Sequence, residues 1–91
     1  MEVRFHYDPE TDLPHIYNHG VNEEEVLEVL RGSPLRLHGR RGGMFTLGQT
    51  LAGRHLKVIY KLQRDGILVI TAYPLRGKAL AAYRRRRRRK R

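Results

Sequence analysis

The chain has 91 residues, which is enough for one small domain with a modest core. It contains no cysteine, no apolar run near the roughly 20 residues that span a bilayer, and a mixed, charged N-terminus unlike a signal peptide. We therefore expect a soluble cytoplasmic protein. The net charge of +10 is divided unevenly: residues 1–30 carry eight acids and one base, residues 31–83 ten bases and one acid, and residues 84–91 eight bases. This division predicts a basic surface for a polyanion and an acidic surface elsewhere.

The first predicted element is a strand at residues 2–7. Val3, Phe5 and Tyr7 alternate with polar residues, which is typical of a strand with one buried face. The segment DPETDLPH follows and predicts a loop rich in turns.

A short helix is then predicted with clear boundaries. Asn22 is a suitable N-cap, and Glu25 completes a capping-box pattern with it. Val21 and Val26 occupy the two positions of a hydrophobic staple, and Gly32 is suited to the C-cap.

The second half of the chain reads as strands separated by turns. LRLH, MFTLGQT, HLKVIYKLQ and ILVITAY are strand-like, HGRRGG is a basic turn, and RDG predicts a tight hairpin turn. ILVITAY is the most apolar of these and is expected to be central. GKALAAY opens a C-terminal helix in which Ala79, Leu80 and Tyr83 are able to pack back. We predict an α+β domain over residues 1–83, with a small antiparallel sheet of four to five strands, one helix in the N-terminal half and a basic C-terminal helix.

Residues 84–91 form a polybasic tail. Such a block repels itself and is often disordered, although it is able to begin as a continuation of the helix. A nuclear-import signal or an anionic-membrane contact stays open, but no apolar face accompanies the block, so we predict no membrane partner. Phosphate contact is the simplest role. The predicted nucleic-acid-binding residues are Lys61, Lys78, Arg84, Arg85, Arg86, Arg87, Arg88, Arg89, Lys90 and Arg91.

Three segments carry a family resemblance. HGVNEEEVLEVL, GQTLAGRHLKVIY and ILVITAYPLRGKALAAYRRR occur in this order and cover nearly the whole chain. Together they resemble the BrnT-like toxins and a related domain family of unknown function, within the RelE/ParE superfamily. The resemblance implies a RelE-like fold, metal-independent cleavage of RNA of the mRNA-interferase kind, and neutralisation by a cognate antitoxin. The chain departs from the pattern at YPLRGK, where BrnT-like chains typically have a basic segment.

Metal-free RNA cleavage needs a proton acceptor for the 2′-OH, cations for the developing charge and an acid for the leaving oxygen. Residues of the right kinds lie at strand and helix ends, and we predict catalytic roles for Arg54, Lys57, Arg76 and Tyr83. One arginine would hold the phosphate, Lys57 would share the proton, and the other arginine would steady the charge. Because Lys57 alternates with apolar neighbours, it is expected on an open basic sheet face opposite the core.

Four of these assigned residues have a structural alternative. Lys57 and Lys61 also fit a solvated strand face, Tyr83 fits core packing, and Arg54 fits the end of a turn.

The histidines do not predict a metal site. His15 and His19 are four residues apart, as two ligands on one helical turn would be, but Pro14 and the run Asn18-His19-Gly20 argue against a regular helix there. We predict no metal and no cofactor.

Three functions are therefore in competition. The first is a toxin-type endoribonuclease acting on RNA, with or without the ribosome. The second is a non-catalytic nucleic-acid- or ribosome-binding module with the same fold. The third is an interaction protein whose basic surface meets an acidic protein partner.

Overall fold

The structure, a computed structural model, describes residues 2–32, 35–39 and 43–89. Residues 40–42 of the predicted basic turn, together with Lys90 and Arg91 of the tail, lie outside the described residues. The strands and helices, in chain order, are β1 (Glu2–Phe5), β2 (Tyr7–Asp8), β3 (Leu13–Pro14), a 3-10 helix (His15–His19), α1 (Glu23–Arg31), β4 (Leu35–His38), β5 (Met44–Gln49), β6 (His55–Gln63), β7 (Gly66–Pro74) and α2 (Gly77–Arg89).

The main sheet has five strands in the order β1-β7-β6-β5-β4. The predicted α+β class is confirmed, but the prediction of an antiparallel sheet is wrong at one edge, because β1 pairs with β7 in parallel. The middle strand is β6, while the apolar β7 lies between β6 and β1. Alternation along a strand shows which residues share a side but does not fix the direction of its neighbour.

The N-terminal strand is shorter than its alternating pattern predicts. β1 ends at Phe5, and Tyr7 belongs to β2, which pairs with β3 in a separate two-stranded sheet. Tyr7 is therefore 54% exposed and does not join the core. Val3 and Phe5 do pack against it, as predicted.

The predicted capping box and hydrophobic staple of α1 are both present. The Asn22 side chain accepts a hydrogen bond from the Glu25 N–H at 2.9 Å, and the Glu25 carboxylate accepts one from the Asn22 N–H at 3.1 Å. Val21 and Val26 are buried on either side of this cap. The cap fixes where the helix begins and so positions its apolar side over the sheet.

One side of the sheet, called here the α1 face, carries the larger core. It packs against α1 and the 3-10 helix. Its buried residues are Ile16, Val21, Val26, Val29, Leu56, Val58, Tyr60, Ile67, Val69 and Ala72.

The other side of the sheet, called here the α2 face, carries a smaller buried cluster. Leu35 and Leu47 pack there with Leu75 and Tyr83, which lie just before and within α2. The helix continues without a break from Tyr83 to Arg89, so the first six residues of the polybasic block are helical. The predicted open sheet face is thus covered in part by α2.

Candidate nucleic-acid interface

Lys57 lies at the centre of the α2 face. It pairs across the sheet with Leu47 on one side and Tyr73 on the other, so these side chains share a row. The Lys57 ammonium nitrogen is 4.4 Å from the Phe45 ring centroid and 5.9 Å from that of Tyr73. Both distances suit cation–π attraction. No acidic side chain in the described ranges forms an ion pair with Lys57, so its charge is held by aromatic rings and stays available to an anion.

His55 lies two residues before Lys57 and therefore on the same face. Its ring meets the ring of Tyr83 edge to face, with centroids 5.6 Å apart. Burial, and then the charge of Arg84, lower the pKa of His55 below its ordinary value. The imidazole is consequently neutral near pH 7, although it lies beside cations.

Tyr83 serves as packing at this site. It is only 6% exposed and belongs to the cluster beneath α2. This placement corresponds to the packing alternative for Tyr83 rather than to its predicted role as proton donor. Its main effect is to fix α2 against the sheet and to set the position of the arginines that follow.

Arg54 is turned toward the α1 face, away from Lys57. Its guanidinium forms an ion pair with Glu25 at 2.6 Å and donates to the Gly20 carbonyl oxygen at 3.1 Å. Gly20 precedes α1, and Glu25 lies in the first turn of that helix. The structure therefore uses Arg54 to join the β5–β6 turn to α1 and does not bring it to Lys57.

Arg76 lies between β7 and α2 and is exposed. The N–H of the preceding Leu75 donates to the His55 carbonyl oxygen at 2.9 Å, which brings the backbone of Arg76 close to the start of β6. This neighbourhood of strand ends agrees with the expected hairpin geometry. Of the four predicted catalytic residues, Lys57 and Tyr83 lie on the α2 face and Arg76 lies at the edge of that face. Arg54 lies on the α1 side, in contact with Glu25.

Most of the remaining predicted binding residues are cations around this face, but the side chains of Arg88 and Arg89 lie outside the described part of the structure. Lys61 follows Lys57 by four residues on β6, and Lys78 lies in the first turn of α2. Arg84, Arg85 and Arg86 are exposed, and Arg87 is partly exposed. Because successive helical residues are about 100° apart, consecutive arginines surround the helix rather than forming one stripe. The second half of α2 is thus cationic on all sides.

Sequence reasoning missed the aromatic partners of Lys57. Phe45 is on β5 and Tyr73 is on β7, one strand to either side of Lys57, and only the register of the two hairpins brings them together. The RDG turn was a signal for the part of the β6–β7 register next to it, since it aligns Gln63 with Gly66, but the bulge in β7 shifts the partner of Lys57 from Ala72 to Tyr73. No comparable sequence signal indicated the register of β5 against β6.

Three histidines form a row of rings that ends beside Tyr73 of β7. The centroids of His6 and His15 are 6.4 Å apart, those of His15 and His19 are 5.5 Å apart, and His19 lies 5.7 Å from Tyr73. His15 and His19 are in a 3-10 helix, not in a regular α-helix. Among the residues that the structure describes, no group of three His, Asp or Glu side chains is arranged to hold a metal ion.

Comparison of the chain with protein-family models, with curated proteins and with solved structures finds no significant match. Within the described ranges, no helix is both long and apolar enough to cross a membrane.

Proposed function

We propose that this protein is a nucleic-acid-binding domain that holds the phosphate backbone of RNA on α2 and the adjoining α2 face. The observation that carries the proposal is the run of exposed arginines on α2, beginning at Arg84 directly after the buried anchor Tyr83. The anchor holds the charges in place, and arginine is well suited to phosphate. RNA as the particular target, like a cytoplasmic location, follows from the sequence reasoning and the family resemblance.

The distribution of charge across the sheet supports this proposal. The acidic first turn of α1, Glu23 to Glu25, belongs to the helix on the α1 face, whereas the arginines belong to the helix on the opposite side. A polyanion that approaches α2 therefore meets cations without adjacent acids. Such separation raises the association rate and affinity without selecting a base sequence.

The proposal is tested by measuring RNA affinity at several salt concentrations. The variant Arg84→Gln, Arg85→Gln, Arg86→Gln is compared with a control that loses the same charge away from α2, Arg31→Gln, Arg36→Gln, Arg64→Gln. If the α2 arginines contact phosphates, the α2 variant lowers the slope of log affinity against log salt by up to about 2 for single strands. The control should change the slope less. A wild-type affinity that does not respond to salt would overturn the proposal.

A toxin-type endoribonuclease is the second candidate function. The observation that favours it is His55, whose lowered pKa gives a neutral imidazole two residues from Lys57 on the same face. A neutral imidazole is able to accept the 2′-OH proton as the 2′-oxygen attacks phosphorus, while a nearby cation stabilises the developing phosphate charge. As the P–O5′ bond breaks, the resulting imidazolium is able to return that proton to the departing 5′-oxygen. In this scheme Lys57 keeps its predicted place at the site and His55 takes the role of base. A cognate antitoxin would then be the natural protein partner.

Cleavage is tested by following RNA integrity with and without ribosomes in the presence of a metal chelator. Wild type should produce fragments that His55→Gln does not. Fragments that disappear with the chelator would exclude the metal-independent mechanism. If no fragments form under either condition, the binding-module function stands alone.

A further inference from the structure

A cavity of about 590 Å³ opens beside Lys57, at the end of the β4–β5 hairpin. Its size lies within the range of small-molecule sites in proteins. Lining residues include His38, Gly39, Met44, Phe45, Lys57 and Ile59. The cavity thus joins an apolar wall to one fixed cation.

The wall and the cation are arranged for a ligand that has a flat apolar part and a negative charge. Phe45 presents an aromatic ring beside its cross-strand partner Ile59, and the Lys57 ammonium nitrogen lies 4.4 Å from the centroid of that ring. A nucleotide combines a planar base and a phosphate within one small group. Base–aromatic stacking with a neighbouring cation is the usual way in which proteins hold unpaired nucleotides.

The position of Phe45 connects this cavity to the arginines of α2. Phe45 also packs against the cluster that contains Leu35, Leu47 and Tyr83. Tyr83 is followed directly by Arg84, so the cationic half of the helix begins beside the cluster against which the ring packs. A strand whose phosphates lie along α2 is therefore led toward the cavity.

We propose that this cavity binds one unstacked nucleotide of a single-stranded nucleic acid. The base stacks on Phe45 beside Ile59, and the adjacent phosphate contacts Lys57. Bases in a duplex are already stacked and paired, so a duplex engages α2 but not the cavity. This inference rests on the proposed nucleic-acid-binding function and adds to it a preference for single strands.

The test uses a short single-stranded RNA that contains the fluorescent base 2-aminopurine, and a duplex RNA of the same length. The chain has only two phenylalanines, Phe45 at the cavity and Phe5 against the core of the α1 face, which gives a matched pair of substitutions. Phe45→Leu should weaken single-strand binding by about 5- to 150-fold, the range measured for loss of one base–aromatic stack. It should leave duplex binding unchanged. Phe5→Leu should alter neither affinity.

A second variant, Lys57→Met, keeps the apolar stem and removes the charge. It should weaken single-strand binding more than duplex binding, and it keeps the inference testable if Phe45→Leu unfolds. Single-stranded DNA of the same sequence distinguishes the two sources of the nucleotide. If the variants lose affinity equally for RNA and for DNA, the base and the phosphate suffice for binding. If they lose affinity only for RNA, the cavity also binds the 2′-OH.

The outcomes separate this inference from the proposed function. If wild type binds neither single strand nor duplex, the nucleic-acid-binding function itself is wrong. If wild type binds both, but its 2-aminopurine signal does not change and Phe45→Leu binds as wild type does, the cavity does not hold a nucleotide and the function of α2 stands.

Discussion

The two sides of the sheet are built for different purposes. The α1 face is closed over apolar side chains such as Leu56, Val58 and Val69, which are fully buried. The α2 face has a smaller apolar cluster and places Lys57 among half-buried rings. Since burial of apolar area supplies most of the folding free energy, we infer that the α1 face provides the larger share of stability. The α2 face is then free to hold cations whose role lies outside the core.

The charged residues show the same difference. Three acids of α1 have partners elsewhere in the fold. Glu23 accepts a hydrogen bond from the Tyr17 hydroxyl at 2.5 Å, and Glu28 accepts one from the Leu51 N–H at 3.0 Å. Glu25 is shared between the capping box and Arg54. Among the α2 arginines whose side chains the structure describes, Arg84 to Arg87, none forms an ion pair with an acid. The acids of α1 thus stabilise the fold, whereas these arginines are available to bind an anion.

The largest expected effect compares one leucine on each side. Leu56→Ala creates a cavity in the fully buried α1 face and should reduce the free energy of unfolding by about 2–5 kcal/mol. Leu80→Ala on α2 removes a side chain that is only partly buried and should cost about 1 kcal/mol. Urea unfolding of both variants measures the difference. Equal losses would show that the α2 face contributes as much to stability as the α1 face.

A smaller effect is expected from Arg54, which the structure assigns to stability rather than to the α2 face. Arg54→Met should lower the free energy of unfolding by about 1 kcal/mol, since its ion pair with Glu25 is short but the arginine is 40% exposed. The affinity for RNA should stay close to that of wild type. Urea unfolding and a binding titration of the same preparation measure the two effects.

The control for this prediction is Glu25→Gln, which removes the charge while an amide oxygen is still able to complete the capping box. The double variant should lose less free energy of unfolding than the two single variants together, because each single substitution already removes the same ion pair. A large loss of RNA affinity in Arg54→Met with unchanged stability would return Arg54 to the binding site.

The smallest effect concerns pH and His55. Its pKa is lowered in the folded protein from an ordinary 6.5, so between that lowered value and 6.5 the unfolded chain binds more protons. The free energy of unfolding should therefore fall as the pH decreases from 7 through this window. His55→Gln should weaken that dependence, whereas His38→Gln, at an exposed position, should retain it.

Acidic residues act in a separate range of pH. A backbone hydrogen bond from Glu10 lowers the pKa of Asp8, and a hydrogen bond from Arg4 lowers that of Asp65. Both start from an ordinary value of 3.8, so their contribution is lost only at lower pH. The range from pH 7 to pH 5 therefore lies above the titration of these two carboxyls, and identical unfolding curves for wild type and His55→Gln over this range would contradict the environment assigned to His55.

The sequence by itself determined the elements whose signals are local. Asn22 and Glu25 are three residues apart and form the capping box of α1, so one short segment of sequence determines where the helix begins. The two-residue turn at Arg64-Asp65 likewise sets the β6–β7 hairpin. The concentration of positive charge in the C-terminal half was also evident, and it supplies the arginines of the candidate interface.

Only the tertiary structure decided how these elements meet. β7 carries an extra residue at Ile70, since Ile59 pairs with Thr71 and Tyr60 with Val69. This bulge places Val69 and Ala72 on the same side of the sheet although they are three residues apart, which a regular strand would forbid.

The same limit applies to the candidate site. Lys57 was found from strand alternation, but its rings come from two other strands, and the turn of Arg54 toward Glu25 depends on a helix 29 residues away in sequence. Alternation and capping act over a few neighbouring residues, whereas register, strand direction and side-chain partners depend on which distant surfaces gain most by burying each other. Register, strand direction and side-chain partners are therefore determined by the fold as a whole.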